Sequence, residues 1–211
     1  MKIGIIGATG HVGQAITTEA LDRGHEVTAI VRNAGKATDM FGEQTKILAK
    51  DALALTKDDL TGLDVIIDAF ASQAPYEQLD LATHLVSLYR ADQTTKLMFV
   101  IGSSTLQKAD GTTLLSDTLK RFAAEPWIAS PIQQDHELHF LQWVDNVDWT
   151  AVTPSTDFVD GPKTSYKIGG DQVMTNAAGK AVVTIANYAA AMLAEVEQPA
   201  HSQQRFTVVD A

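Results

Sequence analysis

The chain has 211 residues, 45% of them hydrophobic and 20% charged, with a formal net charge of −10 and no cysteine. That size and mixture suit one soluble globular domain, and the lack of cysteine excludes disulfides, thiolate catalysis and Cys-ligated zinc. The acidity argues against a nucleic-acid surface, which needs a basic stripe, and no apolar run approaches the ~20 residues that span a bilayer.

Lys2-Ile3-Gly4-Ile5-Ile6 reads as a buried strand, and because the chain enters it at once, no signal peptide and a cytoplasmic location are expected. Gly7-Ala8-Thr9-Gly10-His11-Val12-Gly13 comes next, and then a helix over Val12 to Arg23 with Val12, Ala15, Ile16 and Ala20 on one stripe. A strand, a glycine turn and a helix in that order aim backbone N–H groups and a helix N-terminus at a phosphate. Gly7 makes the tight turn, Gly10 lets a pyrophosphate approach, and Gly13 lets the helix pack close to the strand. This is a dinucleotide site by its context.

Gly24 closes the first helix, Glu26 to Val31 is a second strand, and Ala34 to Gly42 a short helix. Lys46 to Ala49 is a third strand with Lys50-Asp51 at its end, and Thr56 to Leu60 a capped short helix. Val65 to Ile67 is a fourth strand running into Asp68-Ala69-Phe70, and Tyr76 to Arg90 is helical. Leu97 to Ile101 is a fifth strand, stopping at Gly102-Ser103-Ser104. Beyond it the pattern loosens: a helix near Ser116 to Ala124, a plainer one over Gln133 to Asp145, and a sixth strand over Asp148 to Thr153. Ser165 to Ile168 and Ala181 to Val183 are short strand candidates flanking the Asn176 to Gly179 turn. Thr184 caps a helix over Ile185 to Glu197, and Arg205 to Val209 is a terminal strand.

Strands alternating with helices predict a doubly wound, mostly parallel α/β sheet. A single domain is expected over residues 1–211, with substrate-side elements mainly in 105–140 and 155–183. Ligands in such folds bind beyond the carboxyl ends of the strands, where the glycine turn, Arg32, Asp51, Asp68 to Phe70 and Gly102 to Ser104 all fall.

An NAD-selective site places an acid about 20 residues past the glycine turn. Here the second strand ends in Arg32, and the nearest acids, Glu26 and Asp39, are wrongly placed. Arg32, helped by Lys36, can pair with a 2′-phosphate, which favours NADPH; if Arg32 instead stacks on the adenine, NADH remains acceptable. Carbonyl reductases of the short-chain type protonate their product with a tyrosine that has a lysine four residues later. The residues four after Tyr76, Tyr89, Tyr166 and Tyr188 are Asp80, Gln93, Gly170 and Met192. That device is missing, which fits a flavin or another conjugated acceptor that re-equilibrates with solvent.

The glycine turn, Val31-Arg32, Asp51, Trp149-Thr150 with Pro154, and the run from Tyr188-Ala189-Ala190 to Arg205-Phe206-Thr207-Val208 together resemble the atypical short-chain dehydrogenase/reductases. Within them the chain is most similar to NAD(P)H-binding proteins of the NADH–flavin reductase kind, related to biliverdin reductase B and the NmrA-like proteins. The resemblance implies a Rossmann fold. It puts backbone at Thr9, His11 and Val12 on the pyrophosphate, Arg32 on the adenosine phosphate, Asp51 and Ala52 beside the adenine, Ala69 and Phe70 along the ribose, and Ser103 and Ser104 near the nicotinamide. Asn187 stands where an acid is common in relatives, a departure expected to affect only a helix cap.

Ser104, or Ser103, is a candidate for holding a substrate carbonyl or the nicotinamide amide, against a purely local role. His136 is a candidate proton donor, against a surface pair with His139; the two lie one residue short of zinc-protease spacing, so no metal is expected. Asp68 more often fixes loop backbone than catalyses. Phe70, Phe158 and Trp127 are candidates to cover an acceptor ring or to pack under a loop. The expected function is an NADPH-dependent reductase whose flavin is substrate rather than tightly bound, with a small-molecule acceptor as partner and the chain a monomer or weak homodimer. The alternative is a non-catalytic NADP(H) sensor.

Overall fold

A computed structural model of the chain describes every residue except Gln44. Its strands are β1 (Lys2–Ile6), β2 (Glu26–Val31), β3 (Lys46–Ala49), β4 (Val65–Asp68), β5 (Lys96–Val100), β6 (Trp149–Pro154), β7 (Asp157–Val159), β8 (Tyr166–Gly169), β9 (Val182–Thr184) and β10 (Gln204–Asp210). Its α-helices are α1 (His11–Asp22), α2 (Ala34–Phe41), α3 (Tyr76–Tyr89), α4 (Leu114–Phe122), α5 (Ala129–Gln142) and α6 (Ile185–Glu197). Eight strands form one sheet in the order β3-β2-β1-β4-β5-β6-β10-β8, all parallel but β8. β1 lies between β2 and β4, with Ile6 opposite both Ile30 and Asp68, so the strand order reverses there. A crevice opens at such a point, beyond the carboxyl ends of the strands.

Both faces of the sheet are covered, as a doubly wound parallel sheet requires. One face packs Ile3, Ile5, Val65, Ile67 and Met98 against α1, α2 and α6. The other packs Ile6, Ile66, Leu97 and Phe99 against Leu81 and Leu85 of α3 and Leu138 and Leu141 of α5. The alternation along β4 therefore sends Ile66 and Asp68 to the α3/α5 side. Among the described residues no helix is long and apolar enough to cross a membrane.

Helix ends obey the local signals. Gly24, at φ +79°, lets its own N–H reach Leu21 O and that of His25 reach Ala20 O, the paired bonds of a Schellman stop. Thr184 caps α6 by accepting from Asn187 N–H at 3.1 Å.

Other boundaries differ from expectation. β5 starts at Lys96, whose ammonium is buried against Glu195 at 3.1 Å, so a charge masks the strand's start. α5 starts at Ala129 and takes Pro131 into its first turn, where a missing N–H costs no helical bond. Thr56 and Asp59 bond reciprocally as a capping box, yet they cap only one 3₁₀ turn, Asp58–Leu60. The two short strands flanking the Asn176 turn do not pair with each other: β8 joins the edge of the main sheet through β10, and β9 pairs with β7, which the sequence does not signal.

Asn187 is a correction. It is fully buried and does more than sit in a first helical turn. Its Oδ1 accepts from Thr164 N–H at 2.7 Å, and its Nδ2 donates to Thr164 Oγ1 at 2.8 Å and to Asp210 Oδ1 at 2.7 Å. It thus ties the segment before β8 to the terminal strand. Replacing Asn187 with Asp removes that donor and sets a carboxylate against Asp210. We expect Asn187→Asp to lower stability at pH 7 by about 1–3 kcal/mol. Urea unfolding of both proteins at pH 7 checks it.

Candidate functional site

The glycine turn is built by close approach. Gly7, at φ +74°, donates its N–H to Ile30 O at 3.1 Å and accepts from Gly10 N–H at 2.9 Å. A Cβ on Gly7 would stand 2.6 Å from Ala69 O, and one on Gly13 would collide with Gly7 O. Only residues without Cβ let β1, the loop after β4 and the start of α1 converge here. Gly10 caps α1 without a side-chain bond, and its carbonyl receives the Gln14 N–H. The N–H groups of His11, Val12 and Gly13 therefore have no intrahelical partner, leaving a donor set for an anion at a helix N-terminus.

An open pocket of about 510 Å³ extends from this turn along the ends of β1, β2, β4, β5 and β6, within the range of small-molecule sites. At one end lie Arg32, Lys36, Lys50 and Ala52. Asn33 caps α2 by accepting from Lys36 N–H at 3.0 Å, and the Lys36 ammonium turns back to Thr9 O at 3.0 Å. Lys50 is neutralised by Asp59 at 2.6 Å. Arg32 is exposed at the end of β2. A turn of free N–H groups beside these cations suits a pyrophosphate and an adenosine carrying a further anion.

The other end is lined by Phe70, Val100, Gly102, Gln134, Pro154 and Phe158. Phe158 is braced by the buried Tyr188 ring, with centroids 5.0 Å apart. Gly102 has no Cβ because Gln134 Oε1 occupies that place. Beneath Phe70 and Val100 is a second, very small cavity, closed by Asp68, Gln78, Gln134 and Glu137. Asp68 Oδ1 accepts from Phe70 N–H at 2.9 Å. Burial pushes the Asp68 carboxyl up to about 7, against that hydrogen bond. Burial, and then the Asp68 charge, push Glu137 well above the usual carboxylate range.

Of the expected residues, Gly7, Thr9, Gly10, His11, Val12, Arg32, Ala52, Ala69 and Phe70 line the pocket together, with Gly13 packed behind the turn. Lys36 and Phe158 line it too, whereas Asp51, Ser103, Ser104, His136 and Trp127 do not. Asp51 turns its carboxylate to Leu53 N–H at 2.9 Å and caps a 3₁₀ turn. Ser103 opens another such turn, and Ser104 Oγ is buried with no partner among the described residues. His136 is exposed on the outer side of α5, so its expected role as proton donor is withdrawn. His139 bonds the Asp135 carbonyl in the helix below it. Trp127 packs against Phe122 on the surface. Among the described residues no tyrosine lines the pocket.

Gln78, Gln134 and Glu137 were missed. The signal for the last two was the inward spacing of Gln134, Glu137, Leu138 and Leu141 on α5, which puts polar groups on a core-facing stripe. His11 also differs from expectation: besides its backbone, its ring bonds Asp160 at 2.7 Å and joins the turn to the loop after β7.

A family model described as NAD(P)H-binding matches residues 7–199. The protein YwnB of Bacillus subtilis (strain 168) is 39% identical over 214 residues, covering 99% of this chain and 98% of that one. A Lactobacillus casei protein of known structure is 39% identical, with a TM-score of 0.94 and both chains covered to 100%. A Streptococcus pneumoniae TIGR4 structure described as a "putative NADH-flavin reductase" is 34% identical, with a TM-score of 0.89 and the same coverage.

Gly7→Ala tests the turn. The added methyl meets backbone in a left-handed conformation, so stability should fall by about 1–3 kcal/mol and nicotinamide dinucleotide binding should weaken more than tenfold. Calorimetric titration and urea unfolding of one preparation measure both.

Proposed function

The chain belongs to the NAD(P)H-binding family, and within it we propose that the protein is an NADPH-dependent reductase that passes hydride to a flavin or a similar planar conjugated acceptor. One observation carries the coenzyme: Arg32 and Lys36 stand together on the wall of the pocket beside the glycine turn, and among the described residues no acid lines that wall to take a ribose hydroxyl. A charge-assisted fork from Arg32 to a 2′-phosphate favours NADPH by roughly 1.5–3 kcal/mol.

When bound, NADPH supplies a hydride from its nicotinamide ring. The chain's part is to hold, orient and dry the reacting groups. The free N–H groups of His11, Val12 and Gly13 grip the pyrophosphate. Phe70, Val100, Pro154 and Phe158 give the far end flat apolar walls against which a planar acceptor stacks. The buried Tyr188 donates its hydroxyl to Val152 O at 2.8 Å, and burial pushes its phenol well above the usual range. It keeps its proton and does not face the pocket, which supports an acceptor that needs no tyrosine. The wide opening suits a flavin that comes and goes as a substrate.

NADPH oxidation with FMN, FAD and quinones is the direct test. Tight NADPH binding without turnover of any acceptor would overturn the reductase and leave an NADP(H)-sensing regulator. For the coenzyme, Arg32→Ala should raise the Kd for NADPH by about 10- to 150-fold and leave that for NADH within about threefold; equal losses would remove the 2′-phosphate contact from Arg32.

A further inference from the structure

Asp68 and Glu137 are 7% and 4% exposed and close the same small cavity from opposite sides, the end of β4 and the inner stripe of α5. The other groups facing that cavity are the Gln78 amide from α3, the Gln134 amide from α5, Val100 from β5 and Phe70 from the loop after β4. Among the described residues no cation faces the pair. Arg32, Lys36 and Lys50 stand at the adenosine end, and Lys50 already has Asp59.

Two buried carboxylates without a cation cannot both stay ionised; a shared proton resolves the conflict. Gln78 points to the same conclusion independently. It is 7% exposed, its Nε2 donates to Ser130 Oγ at 3.3 Å, and its Oε1 has no partner among the described residues. An orphaned acceptor against this cavity calls for a hydrogen that the protein's other donors do not provide. The cavity's free volume is about 10 Å³, room for the centre of roughly one water molecule. Gln78, Gln134, Phe70 and Val100 also line the main pocket, so the two spaces share a wall.

We propose that Asp68 and Glu137 hold one proton between them and deliver it, past Gln78 and Gln134, to the acceptor reduced in the main pocket. This rests on the reductase reading above. Hydride transfer brings the acceptor one hydrogen and two electrons and leaves it one proton short. The carboxyl O–H bond breaks and its proton completes the acceptor. The pair, now doubly ionised, takes a proton back from solvent through the open pocket. The carboxyl pair thus stands in for the missing tyrosine and lysine, as proton-holding residues that act across the shared wall, by way of the one water the cavity has room for, rather than by touching the nicotinamide.

Two measurements separate this proposal from the reading it rests on. The first needs neither coenzyme nor acceptor: urea unfolding of the wild type, Asp68→Asn and Glu137→Gln between about pH 4.5 and 8. A carboxyl whose folded pKa is raised binds its proton longer in the folded state. Its contribution is therefore full below the ordinary carboxylate range and is lost as pH rises toward about 7 for Asp68. The wild type should lose stability across that window, at up to a tenfold fall in the folding constant per pH unit, and both variants should lose clearly less. Identical slopes in all three proteins overturn the shared proton, as does a cation retained by the purified wild type and lost from both variants.

The second measurement is the pH profile of NADPH oxidation with any acceptor that turns over. Wild-type kcat should decline above about pH 7, and both variants should be slowed at least tenfold with the decline removed and the Kd for NADPH unchanged. Gln78→Met leaves the carboxyls in place; it should keep the wild-type stability slope and still slow kcat. Variants with the wild-type rate and profile overturn the delivery role. An absence of turnover with every acceptor, alongside the expected stability slopes, overturns the reductase reading and leaves the shared proton standing.

Discussion

The approach of α1 to the end of β1 sets the terms for everything else in this molecule. Gly7 turns the chain in a left-handed conformation, Gly13 brings the helix against Gly7's carbonyl, and neither contact leaves room for a methyl group. Once the two elements touch, the first N–H groups of α1 face the crevice where the sheet reverses its strand order. The ends of β2, β4 and β5 then supply the remaining walls in fixed positions. The basic end falls at β2 and α2, and the apolar end at β5, β6 and β7. A net charge of −10 repels an anion at long range, so local donors and the Arg32 and Lys36 side chains have to produce the attraction.

The treatment of buried charge elsewhere in the fold puts Asp68 and Glu137 in contrast. Glu195 meets Lys96 at 3.1 Å and His201 at 2.7 Å. Glu19 lies between Arg23 at 2.8 Å and Lys163 at 2.9 Å. Arg205 spans Asp171 and Thr105, at 2.6 Å and 2.8 Å. Each of these is neutralised where it is buried, which is what a structural role requires. The carboxyl pair under the pocket has two like groups and two amides instead. An apolar pair would stabilise the same place better, and such departures from local consistency concentrate at functional sites.

Features carried by one segment were legible in the sequence. The apolar runs of β1 to β6, the glycine turn, the Thr184 cap and the Gly24 stop each depend on a few neighbouring residues, so pattern and placement agree. The alternation of strand and helix was enough for the doubly wound sheet, and its strand ends for the basic wall. The missed features depend on partners distant in the chain. Lys96 reads as a polar boundary until Glu195, on another helix, neutralises it. β7 exists because β9 pairs with it. His136 looked reactive because of its residue type, whereas the direction of its side chain is fixed by the stripe that buries Glu137 and Leu138 beside it. Gln78 and Gln134 carry no chemistry on their own and acquire it only when α3 and α5 close on the end of β4.

The place of β10 makes one side of the sheet depend on a segment distant in the chain. β10 lies inside the sheet, between β6 and β8, and is the strand to which β8 is hydrogen-bonded. β1 to β5 and the phosphate turn come from residues 2–100, yet α1 packs against α6 from far along the chain. β8 is held to the sheet by β10, and the segment before it is fastened by Asn187, which also bonds Asp210 of β10. β10 thus fastens β8 through its ladder and the start of α6 through Asp210.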